Sequence, residues 1–234
     1  MAGNKGPIIN GIIGFFVIAA ILFIYSPVDS PRDIAVTPAP DVTGRPKAAE
    51  PVDANDWLCI PGRRVGPITY HTSAEDLKRI FGERNLIHKK MIEEEGTVTA
   101  VRTLIYPGQK DAVVVGWEDD RQRNRVLFVR IAGKKGARWQ TGEGIGIGTT
   151  LAELNRINGA PFTFYGFGWD YGGWLIGWGK GKLQRKQPGI RLAMADSSAA
   201  ALKYLGDKEF RSDAPDLTKL GVAVAELYIG LKPE

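Results

Sequence analysis

The stretch GFGWDYGGWLIGW, residues 166–178, gathers five aromatic residues and five glycines around one carboxylate, Asp170. Two chemistries fit those residue types. Trp169, Tyr171 and Asp170 are the groups a sugar-binding platform uses, with ring faces for stacking and an acid for hydroxyls. Trp174 and Trp178, four apart, fit a contact surface, because desolvated tryptophans dominate interface energetics. A structural reading stands beside both. Gly166, Gly168, Gly172 and Gly173 fit a tight turn, and the Asp170 carboxylate then accepts hydrogen bonds from turn amides. Simple alternation sends Trp174, Ile176 and Trp178 to one face of a strand and Leu175 and Gly177 to the other.

No other set of residues assembles a catalytic site. Cys59 is the only cysteine, and His71 and His88 are the only histidines. No spacing ties either histidine to Cys59, which reads as a buried thiol. TGEGIGIGT, residues 141–149, lacks the spacing of a dinucleotide or Walker loop, since Ile147 stands where a third glycine is required. Glu93, Glu94 and Glu95 are consecutive and splay apart, so no metal site, cofactor or catalytic residue is expected. Basic residues cluster at Arg121, Arg123 and Arg125; at Lys134, Lys135 and Arg138; and at Lys180, Lys182, Arg185 and Lys186. They read as solvated hairpin tips or as a face toward anionic lipid or an acidic partner.

The elements that hold these residues are partly written in a repeat. TSAEDLKRIFG (72–82) and TTLAELNRING (149–159) align without gaps. Each carries a capping box, Thr72 with Glu75 and Thr150 with Glu153, and ends in glycine. Ala74, Leu77, Ile80 and Phe81 make one apolar helix face; Leu151, Leu154 and Ile157 make the other. Helices this short need a sheet to dock on. Strand patterns follow the first at 97–106, 112–118, 126–132 and 137–141, and the second at 162–168, 173–178 and 190–195. A helix at 197–205 and a closing strand at 222–228 complete the chain. The expected fold class is therefore α+β: an N-terminal transmembrane helix, then two helix-plus-antiparallel-sheet repeats.

The amino-terminal part reads differently. Residues 8–25, IINGIIGFFVIAAILFIY, contain no charge. As a helix they span about 27 Å, close to the hydrocarbon thickness of about 30 Å. Ile8, Phe15, Phe16, Ile21, Leu22 and Phe23 are the expected anchor residues. The run does not end in the small residues of a cleaved signal. Lys5 before it and the charge pattern after it place the N-terminus in the cytoplasm. Residues 26–56 hold Pro27, Pro31, Pro38, Pro40, Pro46 and Pro51 and few large apolar residues, the composition of an extended tether. The expected organisation is a cytoplasmic stub and anchor at 1–25, a linker at 26–56, and a periplasmic domain at 57–234 with halves near 57–141 and 142–234. The chain has 234 residues and a formal charge of +5.

GIGIGTTLAELNRINGAPFTFYGFGWDYGG, residues 144–173, resembles a family of bacterial envelope proteins. The likeness rests on Gly144, Ile145, Ile147, Gly148, Thr149, Leu151, Glu153 and Leu154, on Asn158, Gly159, Pro161 and Phe162, and on Gly166 to Gly173. It extends over roughly 65–231 and implies no activity. Trp174 stands where that pattern leads to a smaller β-former. The helix-then-strands order is similar, more weakly, to the repeat modules of BamE and of β-lactamase inhibitor protein. That likeness implies protein binding through a sheet surface.

Together these features predict a single-pass bacterial inner-membrane protein with a periplasmic binding module. Its role would be that of an accessory or assembly subunit of a larger respiratory, photosynthetic or envelope complex. Expected partners are other membrane subunits and the lipid bilayer, not nucleic acid. Trp174, Trp178, Trp169 and Tyr171 are the expected contacts. The alternative is a small-ligand or glycan site around Asp170.

Overall fold

The structure is a computed structural model that describes residues 53–93, 98–183 and 188–233. The anchor residues Ile8 to Phe23, the run 8–25 and nearly all of the linker lie outside the described residues. Among the described residues no helix is long and apolar enough to cross a membrane.

The fold is predominantly β, which overturns the α+β expectation. Among the described residues there are two α-helices of eight residues each, α1 (Ala74–Phe81) and α2 (Leu151–Asn158). The strands are β1 (Leu58–Ile60), β2 (Arg64–Val65), β3 (Ile68–Thr69), β4 (Leu86–Glu93), β5 (Val98–Ile105), β6 (Val113–Trp117), β7 (Val126–Ile131), β8 (Gln140–Thr141), β9 (Thr163–Tyr165), β10 (Leu175–Gly177), β11 (Gly189–Ala193), β12 (Glu209–Arg211) and β13 (Ala223–Gly230). They form three sheets, in the orders β3-β2-β1-β8, β10-β9-β12 and β11-β13-β7-β6-β5-β4.

Two separate helix-plus-sheet repeats do not form, because β13 pairs antiparallel with β7 and carries β11 into the first half's sheet. The remaining second-half strands make their own small sheet. An isolated bridge, Trp174 to Arg191, links β10 to the β11 edge. The helix expected at 197–205 is instead a 3-10 segment, Ala199–Tyr204, whose Ser198 cap makes no side-chain hydrogen bond. Burial of Ala201 and Tyr204 fixes it rather than helical propensity.

Both helices are capped as their sequences dictate, with one shift. Thr150 and Glu153 form the capping box of α2. In α1 the box is Ser73 with Asp76 rather than Thr72 with Glu75. The Thr72 hydroxyl is already engaged, accepting from the Thr69 N–H at 2.9 Å. Gly159 closes α2 in the left-handed conformation (φ 76°, ψ 4°).

One apolar cluster holds Leu77 and Phe81 of α1 and Leu151 and Leu154 of α2. The same cluster holds Val113 and Val115 of β6, Val129 and Ile131 of β7, and Leu227 and Ile229 of β13. Each such buried side chain contributes about 2 kcal/mol. Both helices therefore pack on one face of the six-stranded sheet.

Buried polar groups tie the periphery to this core. The Asp111 carboxylate is buried and accepts from Arg138 N at 2.7 Å, Nε at 3.0 Å and Nη2 at 2.8 Å. The Arg138 guanidinium lies 3.6 Å from the Trp57 ring centroid, and Trp57 meets fully buried Trp139 edge-on at 4.5 Å. Asn158 donates to the Ala160 and Trp178 carbonyls and accepts from the Leu183 N–H. Buried Asn158 thus ties the end of α2 to the segments at 160, 178 and 183, while Gly159 beside it is exposed.

Candidate functional site

The aromatic-glycine stretch forms the connection between β9 and β10, and its closure is made by backbone. The Gly172 N–H donates to the Trp169 carbonyl at 2.8 Å, and the Gly173 N–H to the Tyr165 carbonyl at 3.0 Å. Two glycines are required by close approach. A Cβ on Gly173 (φ 80°) would stand 2.0 Å from the Leu192 carbonyl oxygen, and one on Gly166 would stand 2.6 Å from the Gly206 carbonyl oxygen. Asp170 is exposed and makes no side-chain hydrogen bond among the described residues. The expected amide-accepting role for this carboxylate is therefore absent there, and the acid is left facing solvent.

The rings of the turn form an open cluster. Trp169 lies between Tyr165, edge-on at 5.5 Å, and Tyr171 at 5.3 Å. Its Nε1 donates to the Gly166 carbonyl at 2.9 Å, which fixes the indole. Tyr171 is 44% exposed.

Trp174 and Trp178, expected on one face, point to opposite faces. Leu175 pairs with Phe164 and Gly177 with Thr163, so a bulge at Ile176 absorbs one residue and reverses the alternation. Trp178 packs at 5.5 Å against Phe162 and joins the core. Trp174 lies across from Tyr165, whose N–H donates to the Trp174 carbonyl at 2.9 Å, and bridges to Arg191. Because paired residues share a face, Trp174 belongs with Arg191 and its partner Glu226 on the side of the sheet away from both helices.

That outer face can be read across the strands. One row runs Ile87, Leu104, Val114, Arg130, Tyr228, Gly189. The next runs Lys89, Arg102, Gly116, Phe128, Gly230. The Phe128 ring occupies the space over Gly116, 2.2 Å from where a Cβ would stand. It stacks on Tyr228 at 4.7 Å with the planes 26° apart, and Arg102 caps it at 5.2 Å. At Gly189 the Trp174 indole comes within 3.2 Å of the missing Cβ.

Arg191 ties the turn to this surface, donating through Nε to the Gly172 carbonyl at 2.9 Å and through Nη1 to Glu226 at 3.2 Å. Glu226 also pairs with Arg130 at 3.7 Å. The result is a continuous aromatic and aliphatic stripe set among arginines. Separate from this face, a groove of about 530 Å³ lies where the ends of β11 and β13 meet the start of α2, lined by Ala193, Met194, Val222, Ala223, Thr150 and Leu151.

Arg191, Glu226, Phe128 and Tyr228 were not singled out from sequence. The signal present was the small residues Gly116 and Gly189 in alternating strands, each leaving room for a neighbouring ring.

The remaining candidates sit in separate places in the fold. Cys59 is buried, and loss of solvation, aided by the Asp56 charge, pushes its thiol up to about 12. His71 lies edge-on to Tyr70, and His88 shares a hydrogen bond with Thr103 at 2.8 Å. Among the described residues no group of three or more His, Cys, Asp or Glu side chains is placed to hold a metal. Residues 146–149 run beside β13, with the Gly148 N–H on the Val224 carbonyl and the Val224 N–H on the Thr149 carbonyl. At the start of α2 the Thr150 and Glu153 amides are taken by the capping box and the Leu151 N–H donates to the Val222 carbonyl, so these amides do not point into the glycine loop as a phosphate cradle would need.

Among the described residues two side chains of the basic clusters are in ion pairs, Arg125 with Glu118 at 3.2 Å and Arg138 with Asp111, while the Asp119 carboxylate accepts from the Arg121 and Gln122 amides. Arg185 and Lys186 lie outside the described residues. Comparison with protein-family models, with curated proteins and with solved structures gives no match for this chain.

Proposed function

We propose that the chain is a protein-binding module and that the sheet face opposite the helices is its contact surface. The observation that carries this reading is the composition of that face. A solvated face of an antiparallel sheet ordinarily alternates to polar residues. Here Phe128, Tyr228 and Trp174, with Ile87, Leu104 and Val114, occupy it instead. Aromatic residues and arginine are the residues that dominate binding energy at protein interfaces. Arg130 and Arg191 share the single Glu226 carboxylate, a positive balance that fits a partner with acidic groups around an apolar patch.

The apolar run 8–25 supports a chain held at a membrane, with other membrane-protein subunits as partners and a role as an accessory or assembly subunit. Its test is whether the protein stays with the membrane fraction after alkaline carbonate washing.

A photo-crosslinking residue at Tyr228 tests the contact face. The face reading expects discrete adducts from that position and none from Leu202, which is 62% exposed on the 3-10 segment. Equal labelling from both positions, or none from Tyr228, contradicts it.

A second reading is favoured by one observation, the unengaged Asp170 carboxylate beside the Trp169 and Tyr171 rings. An oligosaccharide site there requires that Asp170→Asn abolish a glycan-induced change in tryptophan fluorescence.

A further inference from the structure

The loop between β6 and β7 turns at Arg123, whose backbone is left-handed (φ 48°). Its N–H donates to the Asp119 carbonyl at 2.8 Å, and its carbonyl accepts from the Ala74 N–H, at the start of α1, at 2.8 Å. The loop is thereby pinned to the helix. Lys78 lies four residues beyond Ala74 and shares its helix face. The Arg123 Nε is shut off from solvent and has no hydrogen-bond partner among the described residues. A buried donor without an acceptor is costly, and a guanidinium is suited to taking two oxygens of one anion.

His88 approaches from the sheet. α1 packs beside β4. His88 pairs with Thr103, whose row continues through buried Val115 and Val129, so the imidazole stands on the helix side. Thr103 is fully buried; its hydroxyl accepts from the Trp117 Nε1–H at 3.0 Å and lies 2.8 Å from His88 Nδ1. The indole only donates, so the hydroxyl hydrogen is left for Nδ1. The neutral ring then carries its proton on Nε2 and offers a donor.

The three groups act on one another. Loss of solvation, then the Arg123 and Lys78 charges, hold the His88 imidazole below its ordinary value, while Glu75 acts in the opposite direction. Glu75 lies 3.0 Å from Lys78 and Glu83 4.0 Å from it, with side chains 80% and 83% exposed. Among the described residues neither carboxylate forms an ion pair with Arg123. Such exposed pairs are weak and yield readily to a better anion.

We propose that Arg123, Lys78 and His88 form a binding site for a phosphate-type oxyanion. The guanidinium takes two oxygens, the Lys78 ammonium neutralises a second charge, and the His88 Nε2–H donates to a third oxygen. A dianion suits two permanent cations and a neutral donor better than a single carboxylate does. The site lies on the helix side of the sheet, apart from the outer face.

The test uses the full-length chain in mild detergent, with histidine labelled at Cε1. His71 and His88 are the only histidines, and His71→Gln assigns the two signals. Inorganic phosphate is added at constant ionic strength, balanced with chloride. The His88 signal is expected to shift and saturate, and its titration midpoint to rise by about half a pH unit, because a bound anion offsets the two cations. His71 moves less. Arg123→Gln and Lys78→Gln each weaken the response roughly tenfold, while Lys89→Gln, on the other face of β4, leaves it unchanged. Without phosphate, Arg123→Gln also raises the His88 midpoint, since one repelling charge is gone. No saturable shift at His88 up to about 50 mM phosphate, equal shifts at both histidines, or an Arg123→Gln chain that responds like wild type each overturns the proposal.

Discussion

At the scale of single residues, several side chains hold the surface in place without being part of it. Asp111 is the clearest. Asp111→Ala leaves Arg138 without its carboxylate and the Arg138 amide without an acceptor, and is expected to cost about 3 kcal/mol in chemical denaturation. Arg138→Ala is expected to cost at least as much, because it leaves the buried Asp111 carboxylate without its cation. Gly173→Ala places a Cβ against the Leu192 carbonyl at a positive φ, and a loss of about 3 kcal/mol is expected from strain alone. Cys59 gives the opposite kind of prediction. With its thiol pushed up to about 12 it is protonated at neutral pH. It should resist a thiol-reactive dye in the native protein and react in full after unfolding. Rapid native labelling would contradict its burial.

At the scale of elements, the helix ends make stability pH-dependent in one direction. The Ser73 amide holds the Asp76 carboxyl below its ordinary value, and the Thr150 amide does the same for Glu153. A folded value below the unfolded one gives stability that is present above the unfolded value and lost as pH falls through the folded one. Melting temperature is therefore expected to fall below about pH 4, and less steeply in the Asp76→Asn, Glu153→Gln double variant. Ser73→Ala and Thr150→Ala should each cost about 1 kcal/mol.

These caps were legible in the sequence because each is a local pattern; only the choice between Thr72 and Ser73 was not. The strands β5, β6, β7 and β13 were legible for the same reason, since each alternates over its own length. β4 was missed because Leu-Ile-His-Lys-Lys-Met-Ile-Glu on a free edge buries too little to alternate clearly. The short strands β1, β2 and β3 exist only through their pairing with one another and with β8. Trp178 was misplaced because a one-residue bulge at Ile176 carries no signature in sequence. The outer stripe was half legible: Trp174 and the turn announced themselves, while Phe128 and Tyr228 lie far apart in the chain and meet only because β13 pairs with β7.

At the scale of the whole molecule, one sheet is asked to do two things. Its inner face packs both helices and makes the core, and its outer face is left aromatic and unshielded. Contiguous apolar surface of this kind mostly marks an interaction site. Arg191 and Glu226 couple the turn at 166–173 to that face, so Arg191→Ala is expected to loosen the Trp174 environment, read as a red shift in tryptophan emission, with little change in melting temperature.

The central claim is that the outer face binds a protein partner, and the most direct measurement is native co-purification of the wild-type chain and a Trp174→Ala, Tyr228→Ala double variant from solubilised membranes. The account predicts that specific partners present with the wild type drop at least tenfold with the variant, while both proteins melt within a few degrees of each other. Recovery of the same partners in the same amounts with both would contradict it.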